Sequence, residues 1–317
     1  MHIVTAGPKY LDIDAYGGIV AYGELLRAQG LQARSVSTAP LNGTVTKTIR
    51  NWSVALDRTY TPDTTDTYTL IDVSDPAYFE PFVDKDRVER VIDHHTGFEA
   101  YWDTRIGNKA HIEFLGAACT QVYEQWTEQN ALHEMGRTSA RLLATGILDN
   151  TLNFLAGVTS DRDRRAYEAL SRIGELAHDW PKQYFLECQA ANLRSLPASI
   201  QSDAKIKTLP GYVHELRIGQ LALWNATTAI NKVNEVKKGL VGRDNHWCMN
   251  LIDIGKKRSY ILAEDNVIQS WLANALNISF HGLIAEADRL WLRKEIFKAI
   301  EEKYRQTGQP PAQRDLQ

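Results

Sequence analysis

At 317 residues the chain exceeds the length at which one hydrophobic core ordinarily stops growing, so two domains are expected. A hydrophobic share of 44%, a charged share of 24% and a formal net charge of −3 with no long basic run describe an ordinary globular protein and speak against a nucleic-acid arm or a membrane-surface patch. Residues Met1 to Ala6 are too short and uncharged for a secretion signal, and no apolar run approaches the roughly 18 residues of a membrane span, so a cytoplasmic protein is expected.

In chain order, His2 to Thr5 reads as a short buried strand leading through Gly7 and Pro8 to the acidic pair Asp12 and Asp14. Ala15, Ile19, Tyr22 and Leu26 then recur at helical spacing, with Gly30 as a stop and Asp14 placed where it could cap the helix. Thr67 to Ile71 and Val88 to Ile92 are further strand candidates. Each delivers an aspartate, Asp72 and Asp93, at or just past its C-terminal end, which is where open α/β sheets place their ligands. Helices are expected over residues 117–129 and 138–148, the second closed by Asp149, Asn150 and Thr151, and two more over 161–177 and 181–193.

Ser195, Leu196 and Pro197 read as a linker. Beyond them, 213–218, 221–224, 247–253 and 259–263 look like strands, and 234–240, 267–276 and 289–304 like helices. The expected architecture is therefore α/β: an N-terminal open, mainly parallel sheet flanked by helices over residues 1–190, a smaller α/β domain with a mixed sheet over 198–305, and a disordered tail over 306–317 carrying Gly308, Pro310 and Pro311.

Four acidic clusters thus follow apolar runs: Asp12 with Asp14, Asp72, Asp93 and Asp149. Isolated carboxylates at such places are common loop and cap residues, but Asp93 is followed directly by His94 and His95. Imidazole with carboxylate suits Mn²⁺, Zn²⁺ or Fe²⁺, whereas Ca²⁺ and Mg²⁺ prefer all-oxygen shells. Other candidates have plainer readings. Asp75 is a turn residue and His111 a strand residue, while His133, His178, His214 and His246 lack ligand spacing. Lys256, Lys257 and Arg258 form a solvated hairpin tip, and Arg162, Arg164 and Arg165 a solvated helix face. Cys119, Cys188 and Cys248 are odd in number and far apart, so they read as small core residues rather than a disulfide framework or a zinc site. The eight tryptophans are scattered core or interface residues.

The motifs Asp12-x-Asp14, Leu70-Ile71-Asp72, Asp93-His94-His95 and Gly146-Ile147-Leu148-Asp149 occur in the order seen in the DHH phosphoesterase superfamily, which the chain resembles. A glycine-rich segment of the Gly-Gly-Gly-His type, usual in the branch of oligoribonucleases and RecJ-like exonucleases, is missing; His281-Gly282 is the nearest approach. Asp203-Ala204-Lys205 and Leu292-Arg293-Lys294 instead resemble the second, DHHA2-like domain of manganese-dependent (type II) inorganic pyrophosphatases and exopolyphosphatases, with Glu295 in place of the last lysine of an Arg-Lys-Lys motif.

That resemblance implies a divalent-metal-dependent phosphohydrolase that cleaves phosphoanhydride bonds of pyrophosphate or short polyphosphate with water activated by two Mn²⁺ ions, Mg²⁺ or Co²⁺ being alternatives. It assigns Asp12 to one metal, Asp14 and His94 to the other, Asp72 to a bridge, and Asp149 to the last ligand. His95 would face the substrate as a donor or general acid, and Asp93 would accept from a histidine N–H and fix a ligand tautomer. Lys205, Arg293 and Lys294 would neutralise phosphate oxygens from the second domain, which implies a hinge, and relatives often form homodimers.

Two positions depart from the pyrophosphatase pattern. Pro8 stands where the family has a metal-binding histidine, and strict alignment puts Asn150 rather than Asp149 on the last ligand. These departures keep two alternatives open: a phosphodiesterase acting on short oligonucleotides or cyclic dinucleotides, and a degenerate, non-catalytic protein that binds phosphate compounds or a partner.

Overall fold

Ile3 and Val4 are fully buried at the centre of strand β1 (His2–Thr5), which lies inside a five-stranded sheet. In this computed structural model, which describes residues 1–208, 214–240 and 246–307, that sheet belongs to the first of two compact units, made of residues 1–154 and 158–181. After β1 come helix α1 (Ile13–Ala28), β2 (Ala33–Ser35), the single turn α2 (Lys47–Arg50), β3 (Thr67–Ile71), β4 (Val88–Asp93), α3 (Glu99–Ile106), β5 (Ala110–Ile112), α4 (Ala118–Glu128), α5 (Arg137–Asn150) and α6 (Asp161–Ile173). The order β2-β1-β3-β4-β5 is parallel throughout. The chain therefore reverses its direction of travel across the sheet between β1 and β3. At such a switch point the connections after two adjacent strands leave on opposite faces and open a crevice at the strands' C-terminal ends.

Helix α1 begins differently from expectation. Asp12, not Asp14, is its N-cap, accepting from the Ala15 amide at 3.0 Å, which leaves Asp14 in the first turn with its carboxylate available for another task. The helix is buried along most of its length, and at Gly17 an added Cβ would lie 3.0 Å from the Leu142 carbonyl oxygen, so α1 and α5 meet backbone to backbone. The strands β2 and β5 have only three residues each; of the two, only β5 was foreshadowed, through His111. Helix α6 stops at Gly174 rather than Ala177. After α5 the residues Leu152, Asn153 and Phe154 all adopt positive φ, an unusual left-handed run that reverses the chain directly behind Asn150.

The second unit comprises residues 155–157 and those from Lys182 onward. Helix α7 (Trp180–Arg194) carries the division between the units, and α8 (Leu196–Asp203) follows at once. The stretch read as a linker is thus a helix start, because Pro197 sits in the first turn, where proline's missing N–H costs nothing. Then come β6 (Lys205–Thr208), β7 (Glu215–Leu223), α9 (Thr227–Ile230), α10 (Val233–Leu240), β8 (Trp247–Asp253), β9 (Arg258–Ala263), α11 (Asn266–Leu276), β10 (Phe280–His281), β11 (Ile284–Ala287) and α12 (Arg293–Thr307). They build a six-stranded mixed sheet of order β10-β11-β9-β8-β7-β6, with only β7 and β8 parallel.

Where two strands were expected, β7 is one. Gly219 does not break it, because the missing side chain makes room for Met249, Leu240 and Ile200. Alternation along β8 feeds two cores. Trp247, Met249 and Leu251 pack with Leu196, Ile200, Val236 and Leu240, while Cys248 packs on the other face with Ile268, Leu272, Ile296 and Ile300. All three cysteines are buried, as expected. Among the described residues no helix is long and apolar enough to cross a membrane. Of the tail expected to be disordered, residues 306 and 307 continue α12, and the rest lies outside the described residues.

Candidate metal centre

Three chain segments deliver carboxylates and imidazoles to the C-terminal edge of the parallel sheet at its switch point. The loop after β1 brings Asp12 and, in the first turn of α1, Asp14; the end of β3 brings Asp72; the end of β4 brings Asp93, His94 and His95. Asp72 sits in the left-handed region at φ 59°, a conformation aspartate tolerates, and its amide donates to the Ile92 carbonyl at 2.8 Å, so the turn off β3 is tied to β4. The buried Trp102 indole donates to the Ser74 carbonyl at 2.7 Å and holds the next part of that turn.

Asp14 is fully buried. One carboxylate oxygen accepts from the Ala118 amide at 2.9 Å and the other from the Cys119 amide at 2.8 Å, both at the N-terminus of α4, where backbone donors are unpaired within the helix. His94 is 4% exposed, and its Nδ1 lies 3.1 Å from the carbonyl oxygens of both Leu115 and Gly116. Carbonyls only accept, so Nδ1 carries a proton and Nε2 is the ring nitrogen turned toward the carboxylates. Nε2 faces Asp72 Oδ1 at 3.3 Å and Asp14 Oδ2 at 3.8 Å. Asp72 Oδ1 is buried and has no hydrogen-bond partner.

Acceptors turned toward one another in a buried place repel unless a cation or proton lies between them. The electrostatics agree. Burial, then the charges of Asp12 and Asp14, push the Asp72 carboxyl well above the usual aspartate range, and burial with the charge of Asp14 raises Asp12. Ligand atoms of Asp72, His94 and His95 lie within 4.8 Å of one another. The donor set is mixed carboxylate and imidazole, so the residues fit a borderline divalent ion such as Mn²⁺.

His95 differs from its neighbour. Its side chain is 57% exposed, and its Nδ1 donates to Asp93 Oδ1 at 2.9 Å, with its amide donating to the same oxygen at 3.0 Å. Burial alone would raise the Asp93 carboxyl, but the hydrogen bonds and charge of His95 outweigh it and hold that carboxyl below its ordinary range. Asp93 therefore orients His95, and the tautomer of His94 is set by main-chain carbonyls instead. Asp149 lies three residues beyond Gly146 and Asn150 four, so both share the helix face on which a Cβ at Gly146 would stand 3.2 Å from Asp14 Cα. Cys119, beside Asp14, is an inert neighbour: burial and the Asp14 charge push its thiol well above the ordinary range.

In the second unit Lys205 opens β6 and is exposed, while Arg293 and Lys294 open α12. The Arg293 guanidinium grips Asp203 through Nη1 to Oδ2 at 2.6 Å and Nη2 to Oδ1 at 3.2 Å. Glu295 has its own task where a third basic residue was looked for: one oxygen accepts from the Leu292 amide at 2.8 Å, a cap on the first turn of α12, and the other accepts from Arg289 at 2.5 Å. Asp75 is a turn residue, capping residues 76–78. Arg162 is not part of a solvated face, since it forms paired hydrogen bonds to both Glu113 and Glu124.

No protein-family model matches the chain. In sequence it is 24% identical over 255 residues to the probable manganese-dependent inorganic pyrophosphatase of Lactobacillus acidophilus, a span covering 78% of this chain and 79% of that protein. It is 23% identical over 288 residues to the protein of the same description from Bacillus licheniformis, covering 87% and 90%. Among solved structures, a Methanococcus jannaschii protein assigned to the family II inorganic pyrophosphatases matches with a TM-score of 0.70 at 17% identity, covering 96% of this chain and 100% of that one. An exopolyphosphatase-related protein from Bacteroides fragilis matches with a TM-score of 0.51 at 14% identity, covering 96% and 92%.

Shared fold and motif order fit the DHH superfamily. In sequence the chain resembles proteins described as manganese-dependent inorganic pyrophosphatases, and in fold also the exopolyphosphatase-related protein.

Proposed function

We propose that the chain is a divalent-metal-dependent phosphohydrolase that cleaves the phosphoanhydride bond of inorganic pyrophosphate or short polyphosphate, with Mn²⁺ held by Asp12, Asp14, Asp72, His94 and Asp149. The observation that carries the metal is the convergence of His94 Nε2 on two buried carboxylates, 3.3 Å from Asp72 Oδ1, which has no hydrogen-bond partner, and 3.8 Å from Asp14 Oδ2. The substrate class rests on the similarity to proteins described as manganese-dependent inorganic pyrophosphatases. When bound, such ions supply positive charge against phosphoryl oxygens and an activated water nucleophile.

The remaining steps fall to side chains of this protein. His95, oriented through Nδ1 by Asp93 and with its side chain exposed, would in its doubly protonated form pass the Nε2 proton to the leaving phosphate. Lys205, Arg293 and Lys294 are the proposed cationic partners of phosphate oxygens, with the Arg293 fork held in place by Asp203.

The test is phosphate release from pyrophosphate and tripolyphosphate, and mononucleotide release from a dinucleotide, by metal-stripped protein to which Mn²⁺, Mg²⁺ or Co²⁺ is returned. Metal-dependent release from pyrophosphate or tripolyphosphate, with the dinucleotide left intact, is expected. Cleavage of the dinucleotide would transfer the chain to the phosphodiesterase reading, and metal binding without turnover of any of the three would make it a binding protein.

A further inference from the structure

We propose that Thr120 and Asp163 are positioning residues for the metal centre, acting through the main chain of residues 115–119; the inference rests on the metal reading above. Asp163 is fully buried in the first turn of α6, where its Oδ2 accepts from the Ser160 amide at 2.8 Å and the Ser160 hydroxyl at 2.7 Å. With the Asp163 amide donating to Ser160 Oγ at 3.3 Å, the amide contact completes an ordinary capping box that needs only one carboxylate oxygen. The other oxygen, Oδ1, accepts from the Thr120 hydroxyl at 2.6 Å, a contact the cap does not require. The carboxylate also lies flat against Gly116, where an added Cβ would come within 2.5 Å of Oδ2, 2.7 Å of Cγ and 2.8 Å of Oδ1.

On its far side the same segment makes the contacts that organise the metal centre. Leu115 and Gly116 offer their carbonyls to His94 Nδ1, and Ala118 and Cys119 offer their amides to the two oxygens of Asp14. One thickness of backbone therefore separates Asp163 from both proposed ligands. The segment is gripped at its other end too, since Arg162, the neighbour of Asp163 on α6, forks onto both oxygens of Glu113 at 2.7 Å each. Adjacent residues of one helix thus hold both ends of the loop that sets the His94 tautomer and the Asp14 orientation. Partners of ligating groups typically change metal affinity by roughly 10–100-fold when removed.

The experiment compares Thr120→Val, which removes the hydroxyl and leaves the α6 cap intact, with Thr120→Ser, which keeps the hydroxyl, and Ser160→Ala, which weakens the cap but leaves the Thr120 hydroxyl on Asp163 Oδ1. Mn²⁺ affinity is measured by titration calorimetry, the His94 ring tautomer in metal-free protein by ¹⁵N NMR, and folding by thermal melting. Thr120→Val is expected to lower Mn²⁺ affinity about 10–100-fold and to mix the His94 tautomers, with Thr120→Ser restoring both. Ser160→Ala is expected to lower the melting temperature with affinity and tautomer unchanged.

Equal melting losses in Thr120→Val and Ser160→Ala, with affinity and tautomer unmoved in both, would overturn the proposal. If Thr120→Val does not fold, Glu113→Gln loosens the other end of the loop and is expected to lower Mn²⁺ affinity several-fold; unchanged affinity in that folded variant overturns the proposal as well. Failure of the wild-type protein to bind Mn²⁺ would instead remove the metal reading, and the tautomer in metal-free protein would then decide on Thr120 and Asp163 alone, an unchanged ring overturning their role.

Discussion

Asp72 concentrates the electrostatic tension of the first unit, because its carboxyl is raised by burial and by Asp12 and Asp14 while one oxygen has no hydrogen-bond partner. An acid whose pKa is higher folded than unfolded gives stability that is fully present below the unfolded value, about 4, and lost as pH rises through the folded value. Asp12 works in the same direction, whereas Asp93, held low by His95, gives stability that is lost only as pH falls through its lowered value. Metal-stripped protein is therefore expected to melt at progressively lower temperature as pH is raised above the carboxylate range, and Mn²⁺ to raise the melting temperature more at pH 8 than at pH 5. Asp72→Asn should abolish Mn²⁺-dependent phosphate release, flatten the pH dependence and stabilise the metal-free protein at pH 8. A variant less stable than metal-free wild type at that pH would refute this account. At this scale the motif residues were legible in the sequence, since four acidic groups and a histidine pair ended apolar runs. The partners of Asp14 and His94 were not, because they are main-chain amides and carbonyls whose side chains, Leu115 to Cys119, carry no polar signature.

At the scale of elements, α1, α4 and α5 pack closely enough that single methyl groups matter. A Cβ at Gly146 would lie 2.6 Å from Cys119 Sγ and 3.2 Å from Asp14 Cα. Gly146→Ala should cost about 1–3 kcal/mol in urea unfolding, and Cys119→Ala should restore part of it by vacating the nearest atom. Gly17→Ala should not be rescued in this way, since its nearest contact is the Leu142 carbonyl. The end of α5 offers a separate test of the last proposed ligand. Asp149→Asn is expected to weaken Mn²⁺ binding strongly, and Asn150→Ala to leave it nearly unchanged; the reverse order would assign the position to Asn150. Strands β1, β3 and β4 were readable as short apolar runs, whereas β2 is too brief to show a period and α8 was hidden by a proline that reads as a break but starts a helix. The role of Arg162 was equally hidden, because its acceptors lie 38 and 49 residues away in sequence.

For the whole molecule, each unit has its own sheet and its own core, so perturbations can be assigned to one of them. Removing the Arg293 fork from Asp203 should destabilise the second unit by about 1.5–3 kcal/mol, a typical loss for hydrogen bonds to a charged group. Lys205→Ala, at an exposed position, should stay within about 0.5 kcal/mol of wild type yet raise KM for pyrophosphate. Hydrogen exchange read by mass spectrometry should show Mn²⁺ protecting the turns after β1, β3 and β4 and the loop before α4; protection confined to the second unit would contradict the proposed ligands.

The left-handed turn at Asp72 also bears on how such a protein can change over generations. Asparagine, glycine and histidine are among the residues best suited to that backbone conformation, and each is one nucleotide from an aspartate codon. A lineage can therefore lose the proposed metal-binding carboxylate in a single mutational step while keeping the turn, and Asp72→Asn is expected to gain stability without metal. If the proposed function holds, its chemistry can thus be lost without loss of folding.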